Sequence, residues 1–172
     1  DRIGIIVYAG KAYAQLPLTT DYTAAKMFLR TINTDMVPTQ GTDIGNAVEM
    51  ALSYFETGKE QNRVLFILSD GESHEEGALE ASELASENGI LIHAIGLGTL
   101  DGGPIPIKRN GVIKGYKKDN EDKVVVTKMD PAMLQQLALS TEGNFIDGMN
   151  TKETIEFIKS SIGKMEQVES ET

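Results

Sequence analysis

The 172-residue sequence has no cysteine and no tryptophan, only two histidines and only five prolines. Without cysteine there is no disulfide framework, no thiolate metal site and no cysteine nucleophile. Oxidising and reducing compartments both stay open. No apolar run approaches the ~18 residues that read as a membrane span, and no segment reads as a signal peptide. Cations are scarce: 16 Lys and Arg stand against 26 Asp and Glu, for a formal net charge of -10. A nucleic-acid surface needs clustered cations. The short basic clusters, Lys108-Arg109 and Lys117-Lys118, sit in a Gly-rich segment. There is no P-loop, no G-x-S-x-G and no internal repeat. What is present, 40% hydrophobic and 24% charged residues, is the composition of a globular chain long enough for one domain with its own core.

Strand and helix patterns alternate. Residues 3–8 are an apolar β run, Ala9-Gly10-Lys11 is a turn signal, and 12–18 return as a second strand, which Pro17 marks as an edge. Thr20-Asp21 caps a helix with a stripe at Tyr22, Ala25, Phe28, Leu29 and Ile32. Thr42-Asp43 opens a second helix on Ile44, Ala47, Val48, Ala51, Leu52 and Phe55, closed by Gly58. Residues 63–69 are apolar without alternation, which predicts a strand covered on both faces. A helix is expected from Ser73 to Asn88 and a second continuous apolar strand over 90–97. Asp130-Pro131 starts a helix to Thr141, 144–147 is a short strand, and Asn150-Thr151 starts a last amphipathic helix. Residues 99–129 break the rhythm with turn residues and short β runs, as a β-hairpin insertion would. The pattern predicts an α/β fold with a mostly parallel sheet and helices on both faces, over residues 1–165, and a polar, frayed tail over 166–172. A β run beginning at the third residue suggests a fragment of something longer.

In parallel α/β sheets, sites lie outside the carboxyl ends of the strands. Asp70 sits there, at the end of Leu65-Phe66-Ile67-Leu68-Ser69, and Thr42 opens a helix that can bring its hydroxyl to the same rim. A hydroxyl and a carboxylate are hard oxygen donors, suited to Mg²⁺, Mn²⁺ or Ca²⁺ rather than zinc. Two plainer readings stand beside this: Thr42 as a helix N-cap and Asp70-Gly71 as a turn. His74 reads as a first-turn helix residue and His93, inside an apolar strand, as a satisfied core or sheet-edge histidine. An Asp ending a strand also suits a Mg²⁺-dependent phosphoryl-transfer enzyme, but no Asp-x-Asp and no strand-end Lys accompany it.

Gly41-Thr42-Asp43-Ile44-Gly45-Asn46 resembles the second metal loop of von Willebrand factor type A domains, and Ile67-Leu68-Ser69-Asp70-Gly71-Glu72 resembles their third. The stretches Leu16 to Tyr22, Pro38 to Thr42 and Gly103-Pro104-Ile105-Pro106-Ile107, and the run Val126 to Asp130, resemble the bacterial Bat (aerotolerance) subgroup. The resemblance implies a Rossmann-like doubly wound, mostly parallel sheet with one antiparallel edge strand and a β-hairpin insertion. It implies a protein-interaction module rather than an enzyme. A divalent cation, Mg²⁺ or Mn²⁺, would be held at the sheet's rim, with Thr42 a direct ligand and Asp70 a direct or water-mediated one. A carboxylate of a protein partner would complete the shell. The Bat likeness further implies a membrane-anchored parent, a periplasmic location for this domain and a place in a bacterial envelope complex.

The family's Asp-x-Ser-x-Ser loop, which follows its first, central strand, occurs nowhere in this sequence. The resemblance therefore implies an incomplete site and weak or no metal binding by this chain, since Mg²⁺ gives up water reluctantly. It also implies a missing central strand, a loss of roughly 5–10 kcal/mol of apolar burial. Two remedies are expected: direct pairing of strand 3–8 with strand 63–69, or self-association through the exposed strand edges.

Overall fold

The computed structural model describes residues 1–55, 62–72 and 77–170, with side chains to residue 164. The chain falls into two compact units, Asp1–Phe66 with Ser73–His93 and Gln136–Asn144, and Ile67–Glu72 with Ala94–Gln135 and Phe145–Thr172.

In the first unit, β1 (Ile3–Tyr8) and β2 (Ala12–Thr19) form an antiparallel hairpin. Their register is regular from Ile6↔Ala14 to Tyr8↔Ala12 and slips twice towards Ile3↔Thr19. Pro17 lies inside the slipped stretch, where its missing N–H would break a regular ladder. Helix α1 (Tyr22–Thr31) starts at Asp21, whose side chain accepts from the Thr23 and Ala24 amides. Its expected stripe is only partly used: Ala25 is buried, whereas Tyr22 and Leu29 are 50% and 60% exposed. Helix α2 (Ile44–Tyr54) buries Ile44, Ala47, Val48 and Ala51, as its spacing predicts, and the C-cap is Phe55. Gly58 lies outside the described residues. Helix α3 (Ala78–Glu87) packs against α2 with Ala78, Ala81, Ser82 and Ala85 buried. Its expected first turn, from Ser73 and including His74, lies outside the described residues; among those described, the helix begins after Gly77.

Strand β3 (Arg63–Ser69) and β4 (Ile90–Gly96) are neighbours in a sheet of order β3-β4-β9, and β9 (Phe145–Asp147) runs parallel to β4 through Ala94↔Phe145 and Gly96↔Asp147. β4 is the buried strand, with Ile92, Ala94 and Ile95 fully covered. β3 departs from expectation. It ends the strand order, its first four residues are half-buried and Leu68 is 53% exposed, so it is not covered on both faces. The expected direct pairing of residues 3–8 with 63–69 is also not formed among the described residues; β1 pairs with β2, and β3 with β4. The reason lies in the first unit. α1 and α2 pack on the β1–β2 hairpin, and the Ala9-Gly10 turn is hydrogen-bonded to residues 39–43, so β1 is anchored where it stands.

The second unit contains the insertion. β5 (Gly103–Pro104) pairs antiparallel with β8 (Val126–Thr127), and β6 (Pro106–Arg109) with β7 (Val112–Tyr116), so the excursion predicted over 99–129 is a set of short antiparallel pairs. Asp130 caps α4 (Pro131–Leu139) by accepting from the Ala132 and Met133 amides. Asn150 caps α5 (Thr151–Ser170): its Oδ1 accepts from the Glu153 amide and its Nδ2 donates to the Glu153 carboxylate. The α5 backbone is helical to Ser170, past Glu166, where the composition suggested a tail.

Candidate functional site

Two local constructions hold the two residues singled out by their oxygen chemistry, one in each unit. In the first unit, Thr42 precedes α2. The N-cap is Asp43, not Thr42: its carboxylate accepts from the Asn46 amide at 2.8 Å and its own amide donates to the Ala9 carbonyl at 2.7 Å. The plainer reading of Thr42 as the cap is thereby removed. The loop is tied to the β1–β2 turn at three points: Asp43 N to Ala9 O, Gly10 N to Thr39 O at 3.0 Å, and Ala12 N to Asn46 Oδ1 at 2.8 Å. Gly10 is required by close approach, because a Cβ there would collide with the Gln40 carbonyl. The half-buried Thr42 is therefore carried on a backbone fixed on both sides.

In the second unit, Asp70 follows the carboxyl end of β3. The Ser69 carbonyl accepts from Leu97 N at 2.8 Å, and the Ser69 hydroxyl accepts from Gly71 N at 3.0 Å. Asp70 Oδ1 accepts from Glu72 N at 3.2 Å, closing an Asx turn, so the turn reading of Asp70-Gly71 holds. Gly71 has φ +79°, the left-handed region that favours glycine, and a Cβ on it would meet the Asp130 carbonyl.

The far side of this loop is made by the segment Thr127–Asp130. Asp130 N donates to Asp70 O at 2.7 Å. The Thr127 hydroxyl stands 2.9 Å from Asp70 Oδ2 and 2.8 Å from Glu72 Oε2, and Lys128 N donates to Glu72 Oε1 at 3.3 Å. A threonine hydroxyl carries one proton, so it donates to one of these carboxylates at a time. The strand-end loop is thus clamped by the segment that returns from the insertion, and two carboxylates converge on one hydroxyl. Glu72, Thr127, Lys128 and Asp130 were not singled out as site residues by the sequence. Glu72 lies two residues from Asp70, within the stretch Ile67 to Glu72, but no local spacing could have joined Thr127 to it, because the side-chain contacts of Thr127 span 55 and 57 positions.

Among the described residues, no group of three or more His, Cys, Asp and Glu is placed to hold a metal ion. His93 is a core residue, as its apolar strand predicts. It is buried, its Nδ1 accepts from Asn144 N at 3.0 Å, and its ring lies 5.4 Å from that of Phe66.

The family model of the von Willebrand factor type A domain matches residues 1–146. The chain belongs to this family. Among solved structures, this von Willebrand factor type A domain is similar to an aerotolerance-related membrane protein of Bacteroides fragilis. Identity is 38%, 96% of this chain and 80% of that one are covered, and the TM-score is 0.87. It is likewise similar to the conserved protein BatB of Bacteroides thetaiotaomicron, at 37% identity over 97% and 80% of the two chains, with a TM-score of 0.90. An uncharacterized protein of Borreliella burgdorferi is 27% identical over 174 residues, spanning 98% of this domain but only 48% of that protein. The domain thus spans about half the length of this curated relative. Among the described residues, no helix of the domain is long and apolar enough to cross a membrane.

Proposed function

We propose that this domain is a protein-binding module in which Thr42 and Asp70 each supply an oxygen donor to a divalent cation, Mg²⁺ or Mn²⁺, in the longer protein to which it belongs. A carboxylate of the protein partner completes the shell. The observation that carries this reading is the clamped loop at the end of β3. It holds an Asp in the strand-end position of a von Willebrand factor type A domain, with its backbone and both carboxylate oxygens tied. The donor types fit a hard cation, but two donors are too few to hold Mg²⁺ tightly. Weak or no binding is therefore the expectation for this chain alone, the longer protein supplying the remaining ligands. Similarity to BatB and to an aerotolerance-related membrane protein supports a membrane-anchored parent; a periplasmic position within an envelope complex linked to stress or aerotolerance is part of the same proposal. Self-association through the outer edges of β1 and β3 belongs to the same reading.

Co-purification with the intact parent tests this. Partner capture is expected to fall on chelation, to return with Mg²⁺ or Mn²⁺, and to be weakened by Thr42→Ala and by Asp70→Ala without loss of fold. Capture that ignores both chelator and substitutions would leave a metal-independent interaction domain. Phosphoester turnover abolished by Asp70→Asn would make the protein an enzyme instead.

A further inference from the structure

Two surfaces of this chain are complementary to each other in charge. The first is the β6–β7 hairpin. Residues 105–118 contain Lys108, Arg109, Lys114, Lys117 and Lys118 and no carboxylate, in a chain of net charge -10. Every residue of β6 is exposed, and so is all of β7 except Gly115. Among the described residues, Lys108, Arg109 and Lys114 have no ion-pair partner. The register sets Arg109 opposite Val112 and Lys108 opposite Ile113, so each cation lies beside an apolar side chain that is at least half exposed. A two-stranded ribbon solvated on both faces is marginal by itself, and this one exposes Ile107, Val112, Ile113 and Tyr116 among its cations.

The second surface is the outer arc of α3. At 100° per residue, Leu79, Glu83, Glu87, Glu80 and Leu84 follow one another within an arc of about 140°. All five are exposed, opposite the buried alanines. Residues 78–88 contain no cation, and among the described residues the three glutamates have no ion-pair partner. Glu83 and Glu87 repel at i,i+4, and Glu87 lies in the last turn, where the helix dipole disfavours an anion. Among the described residues nothing pairs with these three like charges, and the two flanking leucines are 38% and 45% exposed.

We propose that the tip of the β6–β7 hairpin of one copy docks end-on on the α3 arc of a second copy: Lys108 and Arg109, which as neighbours in β6 leave opposite faces of the ribbon, straddle the arc and with Lys114 meet Glu80, Glu83 and Glu87, while the aliphatic residues of the tip cover Leu79 and Leu84. The net charges repel at long range, but over a Debye length of about 8–10 Å the local opposite charges dominate the contact. The association is weak, reversible and salt-sensitive, and it does not use the Asp70 loop or the β1 and β3 edges.

Sedimentation velocity over a concentration series at low and high salt tests it. The wild-type chain is expected to associate with concentration, and less so as salt rises. The triple variant Lys108→Glu, Arg109→Glu, Lys114→Glu and the triple variant Glu80→Lys, Glu83→Lys, Glu87→Lys should each associate at least about tenfold more weakly. An equimolar mixture of the two should recover association, since each hairpin again meets an arc of opposite sign. Circular dichroism verifies that both variants fold; recovery in the mixture is itself proof of folded surfaces. A wild-type chain that stays monomeric at every concentration overturns the proposal. So does association that neither reversal alters, or folded variants whose mixture fails to associate. Binding of anionic phosphatidylglycerol vesicles lost on hairpin reversal, without self-association, would assign the hairpin to a membrane surface instead and equally overturn it.

Discussion

The clamp at Thr127 makes a quantitative prediction. Thr127→Val keeps the shape of the side chain and removes a hydroxyl that stands within hydrogen-bond distance of both Asp70 and Glu72. A hydrogen bond to a charged acceptor contributes about 1.5–3 kcal/mol. Thr127, Asp70 and Glu72 are half-buried, so water replaces part of what is lost. The expected destabilisation is therefore about 1–2 kcal/mol. Urea denaturation should show this as a lower midpoint with an unchanged m-value. Thr127→Ser, which keeps the hydroxyl, should stay within about 0.5 kcal/mol of wild type. Amide exchange gives the local readout. The Lys128 and Glu72 amides, which donate to Glu72 and Asp70, should lose protection in Thr127→Val, while amides of β4 change only by the global amount. A Val variant as stable as wild type, with both amides still protected, would refute the clamp.

Gly71→Ala should destabilise by about 2–4 kcal/mol, combining left-handed strain with a Cβ driven against the Asp130 carbonyl; a thermal melt within a degree or two of wild type would contradict this. Gly10→Ala, whose Cβ would collide with the Gln40 carbonyl, should cost about 1–3 kcal/mol and perturb backbone resonances of residues 39–43 more than those of β9. Asp43→Ala removes the α2 cap and should cost about 1 kcal/mol in urea denaturation, with Asp43→Asn close to neutral.

The elements whose signals are local were legible in the sequence. Asp21, Asp43, Asp130 and Asn150 mark helix starts because an Asx side chain satisfies amides two or three residues on, a relation that spacing alone displays. The continuous apolar run of β4 announced a covered strand. What depends on neighbours was not legible. The apolar run of β3 has the same pattern as β4, yet β3 ends its sheet and exposes Leu68. The stripe of α1 has helical period, yet Tyr22 and Leu29 face solvent, because periodicity orients a helix without stating how much lies against it. Pairing of β1 with β3 was inferred from a gap in the family pattern, and the anchoring of β1 by residues 39–43 could not be foreseen from either strand. At the candidate site, Asp70 and Thr42 stood out by chemistry and motif, whereas Thr127 is brought to Asp70 only by the fold of the insertion.

The central claim is that Thr42 and Asp70 are cation donors. Crystals of the longer protein soaked in Mn²⁺ and measured for anomalous scattering test it most directly. The account predicts a peak with the Thr42 hydroxyl at about 2.0–2.3 Å and the Asp70 carboxylate in contact directly or through one water. A folded protein whose map carries no peak beside these two residues, or carries one elsewhere, would contradict it.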